Sequence, residues 1–133
     1  MLQEVRLQTK RRDEMLDITA QVEQILVREK VQSGLVVVFS FHTTAGITIN
    51  ENADPDVQKD ILRRLGELYP RVDAKDRHLE GNSAAHLKAS TVGASQTIII
   101  HNGKLQLGRW QGIYFCEFDG PRYRTCYVKI LGE

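Results

Sequence analysis

The stretch LVVVFSFHTTAGITINEN, residues 35–52, decides how this chain folds. Its first seven residues are branched or aromatic except Ser40, a composition that suits a pleated, half-buried strand. Alternation places Val37, Phe39, Phe41 and Thr43 on one side and Val36, Val38, Ser40, His42 and Thr44 on the other. The first side stays apolar almost to its end, whereas the second turns from valine to a polar triplet. A strand is therefore expected over Leu35–Thr44, a break at Ala45-Gly46 and a second short strand over Ile47–Asn50. A histidine between hydroxyls at a strand tip has two explanations: a buried imidazole satisfied by its neighbours, or one member of a site.

Working outward, residues 3–10 alternate as a first strand, and Asp17 is placed to cap a helix over Ile18–Lys30 with Ile18, Val22, Ile25 and Leu26 as its apolar stripe. Asp54-Pro55 marks a helix start, since proline at the first helical position loses no hydrogen bond. That helix carries Val57, Ile61, Leu65 and Leu68 on one face and ends before Pro70. Residues 71–81 are polar and expected as loop, and a shorter helix fits Asn82–Thr91, stopped by Gly93. The remainder reads as strands: Thr97–Ile100, an Asn102-Gly103 turn, Lys104–Leu107, Gly112–Phe118 and Tyr123–Leu131. The expected class is α+β, a single domain over residues 1–133, with a mostly antiparallel sheet, two longer helices and one short one.

With 41% apolar and 26% charged residues, the 133-residue chain has an ordinary globular composition. Its formal net charge of +1 supplies no strong field for nucleic acid or a membrane surface, so neither partner is expected. The amino-terminal residues lack an apolar signal core and no run reaches the ~18–20 apolar residues of a membrane helix, so a cytoplasmic location is expected. Cys116 and Cys126 lack the close spacing of a thiolate metal site and read as small reduced strand residues.

Three clusters carry chemistry. In the first, His42, Thr43 and Thr44 close a strand that continues to Asn50. In the second, EGNSAAHLKAS (80–90), helical spacing aligns Asn82, Ser83, His86 and Ser90, while Ala85 and Ala89 leave room beside them. The free N–H groups of that helix start favour an anion, with Lys88 adding charge; the bland alternative is a polar stripe facing water. His78 lies in the loop feeding this helix. Three histidines in polar settings are a candidate metal set, since zinc with three imidazoles and an open position is a catalytic arrangement. His101, before the Asn-Gly turn, reads as an exposed hairpin residue. In the third cluster, LGRWQGIYFCEFDGPR (107–122), alternation sets Glu117 and Asp119 at the end of the Ile113–Phe115 face. Arg122 is placed to hold a phosphate or to pair with an acid, and Trp110-Gln111 to line a pocket or join the core.

Taken together, HTTAGITINEN, DPDVQKDI, EGNSAAHLKAS and LGRWQGIYFCEFDGPR, in this order and spacing, resemble the YjbQ family, whose members are described as secondary thiamine-phosphate synthases. The resemblance implies a compact α+β sandwich assembled as a homotrimer with sites near the subunit contacts. It further implies that His42, His78 and His86 gather around a metal or anion, with zinc the favoured ion and magnesium an option with a diphosphate substrate.

The implied reaction joins hydroxymethylpyrimidine diphosphate to a thiazole phosphate with release of pyrophosphate. It needs groups that neutralise the departing diphosphate and hold two rings in line. Expected substrate and anion contacts are Thr43, Thr44, Asn50, Asn82, Lys88 and Arg122; expected catalytic residues are His86, Glu117 and Asp119. Two other classes fit the same residues. One is a zinc-dependent hydrolase of a small phosphate ester or lactone, with Glu117 as general base. The other is a non-catalytic trimeric module that binds anions or metabolites.

Overall fold

The structure, a computed structural model, describes residues 2–132. In chain order the elements are β1 (Leu2–Gln8), β2 (Glu14–Asp17), α1 (Thr19–Glu29), β3 (Ser33–Ser40), β4 (Ala45–Glu51), α2 (Pro55–Leu68), α3 (Ser83–Val92), β5 (Ser95–His101), β6 (Lys104–Leu105), β7 (Gln111–Glu117) and β8 (Tyr123–Gly132). All strand pairs are antiparallel. They form two sheets, a five-stranded one in the order β1-β8-β3-β5-β6 and a three-stranded one in the order β2-β7-β4.

The expected class is what the chain adopts, with two local differences. β2 was not anticipated; its sequence EMLD is too short to show a period of two. The long strand expected over Leu35–Thr44 ends at Ser40, because its last partner on β8 is Cys126. The chain must then leave one sheet to begin β4, which pairs with β7 in the other.

The inward faces of the two sheets share a core with α1. Val36 and Val38 of β3, Ile98 and Ile100 of β5 and Val128 of β8 meet Ile47, Ile113 and Phe115 of the smaller sheet, with Val22, Ile25 and Leu26 of α1 alongside. α1 starts one residue later than expected, with Ile18 rather than Asp17 at the N-cap position; Asp17, just before it, accepts from the Thr19 N–H at 2.9 Å and the Thr19 hydroxyl at 2.6 Å. The helix ends on Lys30 in the left-handed conformation. Asp54 caps α2 as its sequence requires, accepting from the Asp56 N–H at 2.9 Å.

β7 is buried on both sides, which makes it the spine of the domain. Ile113 and Phe115 face the shared core, while Tyr114, Cys116 and Phe118 pack under Ala85 and Ala89 of α3 and Leu62 and Leu65 of α2. The small residues of α3 thus admit these side chains, and Ala89 also lines a surface pocket beside His42, Thr43, His86 and Ser90, the room expected along this helix. Cys116 and Cys126 are free and buried, and burial pushes both thiols up to about 12.

Close contact between α3 and β4 depends on Gly46. A Cβ there would stand 2.6 Å from the Gly93 carbonyl oxygen, which the Ile47 N–H uses at 3.0 Å. Replacing Gly46 by alanine is expected to lower unfolding stability by about 1–3 kcal/mol through overpacking, read as a lower urea midpoint with an unchanged slope.

Candidate functional site

Three connections pass between the sheets at the same end of the domain: Thr9–Asp13 from β1 to β2, Phe41–Thr44 from β3 to β4, and Phe118–Arg122 from β7 to β8. There the backbone leaves its ladders, and polar groups must find other partners. The crossings tie to one another: Thr9 N–H donates to the Arg122 carbonyl at 3.0 Å, Gly120 N–H to the Arg12 carbonyl at 3.0 Å, and Phe118 N–H to the Thr44 carbonyl at 3.1 Å. Gly120 is required by this crowding, since a Cβ would lie 2.2 Å from the Arg11 carbonyl oxygen.

Beneath the crossings lies a sealed ion pair. Glu117, 0% exposed, and Arg124, 4% exposed, face each other across the sheets. Arg124 Nε donates to both Glu117 oxygens at 2.9 and 3.1 Å, and its Nη2 contacts Glu117 Oε2 and donates to the Thr44 hydroxyl at 2.8 Å. Thr9 Oγ1 donates to Glu117 Oε1 at 2.7 Å and the Asp119 N–H to Oε2 at 3.1 Å. Burial by itself would raise the Glu117 carboxyl, but hydrogen bonds from Arg124, Thr9 and the Asp119 amide outweigh it and hold the group below its ordinary range. The expectation that Glu117 is catalytic is corrected accordingly. Both its oxygens are committed beneath the site, so it positions Arg124 and Thr44 and has no access to a ligand as a base.

Above this pair opens a polar cleft of about 390 Å³ lined by Phe41, His42, Thr43, Thr44, His78, Glu80, Asn82, His86, Asp119, Arg122 and Arg124. The crossing from β3 supplies the His-Thr-Thr corner, the start of α3 supplies Asn82 and His86, and the β7–β8 crossing supplies Asp119 and the two arginines. Asp119 is the junction: its Oδ2 accepts from Asn82 Nδ2 at 2.8 Å and from Arg122 Nη2 at 2.9 Å. Asn82 is 8% exposed, and among the described residues its Oδ1 is a buried side-chain oxygen with no hydrogen-bond partner. Leaving a buried acceptor unsatisfied costs roughly 1–3 kcal/mol.

The three histidines expected to cooperate do line one cleft. His78 and His86 meet edge to face with ring centroids 5.2 Å apart. His42 is held differently: its Nε2 sits 3.0 Å from the Thr125 carbonyl oxygen and 3.2 Å from the Thr125 amide nitrogen. Burial first, then the nearby Arg124 charge, lower its pKa, so the ring is neutral near pH 7. Among the described residues no three His, Cys, Asp or Glu side chains group closely enough to hold an ion. The donor arrangement within one chain therefore does not fit the expected three-histidine metal centre.

Other expected contacts are redistributed. Lys88 is 5% exposed and donates to Asp13 at 2.7 Å, on the face of α3 away from the cleft lining, so it is corrected from anion binder to buried structural partner. Asn50 is exposed on β4, accepts from the Glu51 N–H at 2.7 Å and does not line the cleft. Trp110 is exposed beneath the Arg109 guanidinium, 4.8 Å from it, in neither core nor cleft; His101 is exposed as expected. Sequence reasoning missed Arg124, although a signal was present: Arg124 shares strand parity with Cys126 and Val128, and an arginine on a core-facing position demands a buried acid.

Comparison with known proteins adds a lineage. The YjbQ family model, described as "UPF0047 protein YjbQ-like", matches residues 3–133. The chain is 61% identical over 132 residues to the UPF0047 protein YugU of Bacillus subtilis, covering 99% of this chain and 100% of that one. It is 53% identical to a UPF0047 protein of Methanocaldococcus jannaschii, covering 100% and 96%. Among solved structures, a yjbq/upf0047 family protein from Clostridium acetobutylicum superposes with a TM-score of 0.94 at 57% identity, covering 96% of this chain and 98% of that one. A hypothetical protein from Aeropyrum pernix K1 superposes at 0.95 with 38% identity, covering 100% and 99%.

The sealed pair generates a stability prediction. Glu117→Gln keeps the volume and removes the charge, stranding the Arg124 guanidinium, and is expected to cost about 3–5 kcal/mol in urea unfolding at pH 7. The pH dependence follows from the lowered carboxyl. Its contribution is complete above the ordinary glutamate value of about 4.3 and is lost as pH falls toward the lower native value. The stability of Glu117→Gln is expected to vary less with pH across that acid window than wild type does.

Proposed function

Because the chain belongs to the YjbQ family, we propose that the cleft binds the phosphate-bearing end of small metabolites and that the protein is a transferase of the thiamine-phosphate synthase type. The observation that carries this reading is the convergence of Arg122, three imidazoles and the Thr43-Thr44 hydroxyls on one polar cleft, at the start of α3. Of this set, Arg122, the His78 and His86 rings and the Thr43 hydroxyl can donate to an anionic group, and helix N–H groups favour negative charge.

In the proposed reaction the thiazole nitrogen uses its lone pair to form a C–N bond to the pyrimidine methylene. The C–O bond to diphosphate breaks, and its electron pair departs with the diphosphate. No proton leaves the reacting atoms, so no general base is called for, in keeping with the commitment of Glu117 to Arg124. The work of the chain is to neutralise the leaving group and to align the rings. Arg122, half exposed and anchored through Asp119, offers a fixed cation; His86 and His78 offer ring N–H groups; Thr43 offers an exposed hydroxyl.

A cleft of about 390 Å³ lies near the small end of ligand sites, roughly 300–1,000 Å³, which suits one phosphorylated ring better than two. The proposal therefore includes assembly of copies, as a homotrimer, to complete the pocket. Phe41, on the cleft rim, stacks on Tyr127 with centroids 4.7 Å apart, and the outer face of the five-stranded sheet continues from there through exposed Phe39, Leu35, Ile99 and Leu131. An apolar face of that kind favours burial against another chain.

Pyrophosphate release with both substrates present is expected to fall at least tenfold in His86→Ala; equal rates in the two proteins remove His86 from the mechanism. Arg122→Ala is expected to weaken inorganic diphosphate binding by about tenfold or more, the worth of a charge-assisted hydrogen bond, with little change in unfolding midpoint. Hydrolysis of simple phosphate esters without any thiazole partner points instead to a hydrolase. Phe39→Glu is expected to reduce the native mass from three chains to one, and a wild type that already runs as a monomer of 15.1 kDa removes the assembly from the proposal.

A further inference from the structure

Asn82 does not contact anions in the way its place at a helix start implies. Its amide nitrogen is given to Asp119 Oδ2 at 2.8 Å, and Asp119 is an ionised acceptor that also receives Arg122. This settles the orientation of the amide: turning it over would set Oδ1 against a carboxylate oxygen, replacing a hydrogen bond with repulsion. The side chain also makes no capping bond to α3. What remains is Oδ1, an acceptor sealed from solvent and unpartnered among the described residues, on a residue lining the cleft. A phosphate oxygen near that atom would be repelled, so a buried acceptor there calls for a donor.

We infer that Asn82 reads an N–H group on the uncharged part of the ligand, next to the bound phosphate, and so restricts the cleft to phosphate esters that carry an amine or amide donor. This rests on the phosphate-binding reading of the same cleft. Because Oδ1 is sealed in the unliganded chain, the ligand reaches it only when the cleft wall moves, and His78 and Glu80 of that wall sit on the segment 71–81. The hydrogen bonds of residues 71–81 run within the segment, from Asp76 N–H and Lys75 N–H to Asp73 and from Gly81 N–H to His78. Movement of this segment breaks no hydrogen bond to the body of the domain. A site built to pair with a donor rejects a ligand lacking it more strongly than an apolar pocket rejects a missing methylene, because the protein acceptor stays unpaired.

The test is calorimetric titration of the full chain with three probes: inorganic diphosphate, the diphosphate ester of an aminopyrimidine methanol, and the same ester with hydrogen in place of the amine. Wild type is expected to bind the amino ester at least tenfold more tightly than its des-amino counterpart. Asn82→Ser, which keeps a side chain suited to the position before a helix, is expected to erase that difference between the two esters. The wild-type comparison needs no variant and stands even if Asn82→Ser fails to fold. Equal affinity of wild type for the two esters, as when an ordered water alone satisfies Oδ1, overturns the inference while diphosphate binding keeps the phosphate site. Survival of the preference in Asn82→Ser overturns it likewise. Failure of diphosphate and both esters to bind overturns the phosphate reading and this inference with it.

Discussion

The pairing of Glu117 with Arg124 is the constraint on which the working end of this domain depends. Two charges without access to water are tolerable only when each is paired and hydrogen-bonded. Here the carboxylate collects Thr9 from the β1–β2 crossing and the Asp119 amide from the β7–β8 crossing, while the guanidinium holds Thr44 from the β3–β4 crossing. Three crossings that are distant in sequence therefore close on one point between the sheets. Replacing the pair by apolar side chains would keep the packing yet remove the reason for those crossings to meet in one register.

Everything in the cleft is built upward from that point. Thr44 directly follows His42 and Thr43 in the crossing, so fixing it orients the corner of histidine and hydroxyls. Asp119 is anchored through its amide to Glu117 and through its carboxylate to Asn82 and Arg122, which carries order from the buried pair to the start of α3 and to the exposed cation. His86 follows one turn along the same helix. The ion pair thus acts on a ligand only through others, and the cation within reach of an anion is Arg122, which pairs with Asp119 yet stays half exposed, whereas Arg124 is enclosed against Glu117.

Much of this was legible in the sequence because it follows from short-range periodicity. Asp54-Pro55 announces α2, the valines of β3 and the alternation of β7 announce strands buried on at least one face, and three of the four histidines stand in settings that mark one cleft. The position of Lys88 was misjudged because the notion of a free helix terminus says nothing about which side of α3 faces Asp13. β2 escaped because four residues cannot display a period. Glu117 looked like a base because parity shows only that it points inward, and the partner that neutralises it lies on another sheet.

By itself, then, the amino-acid order determined the elements other than β2, the antiparallel α+β class, the family and most of the polar residues brought to one end, since each depends on neighbours a few positions apart or on motifs read intact. Only the tertiary structure decided which charges are spent on each other and which remain for a ligand. Arg124 against Glu117, Lys88 against Asp13 and Asn82 against Asp119 are pairings across 7, 75 and 37 positions, and where one crossing meets another is set by packing two sheets around a common core. The free oxygen of Asn82 is what remains: a buried acceptor for which none of the described residues provides a partner.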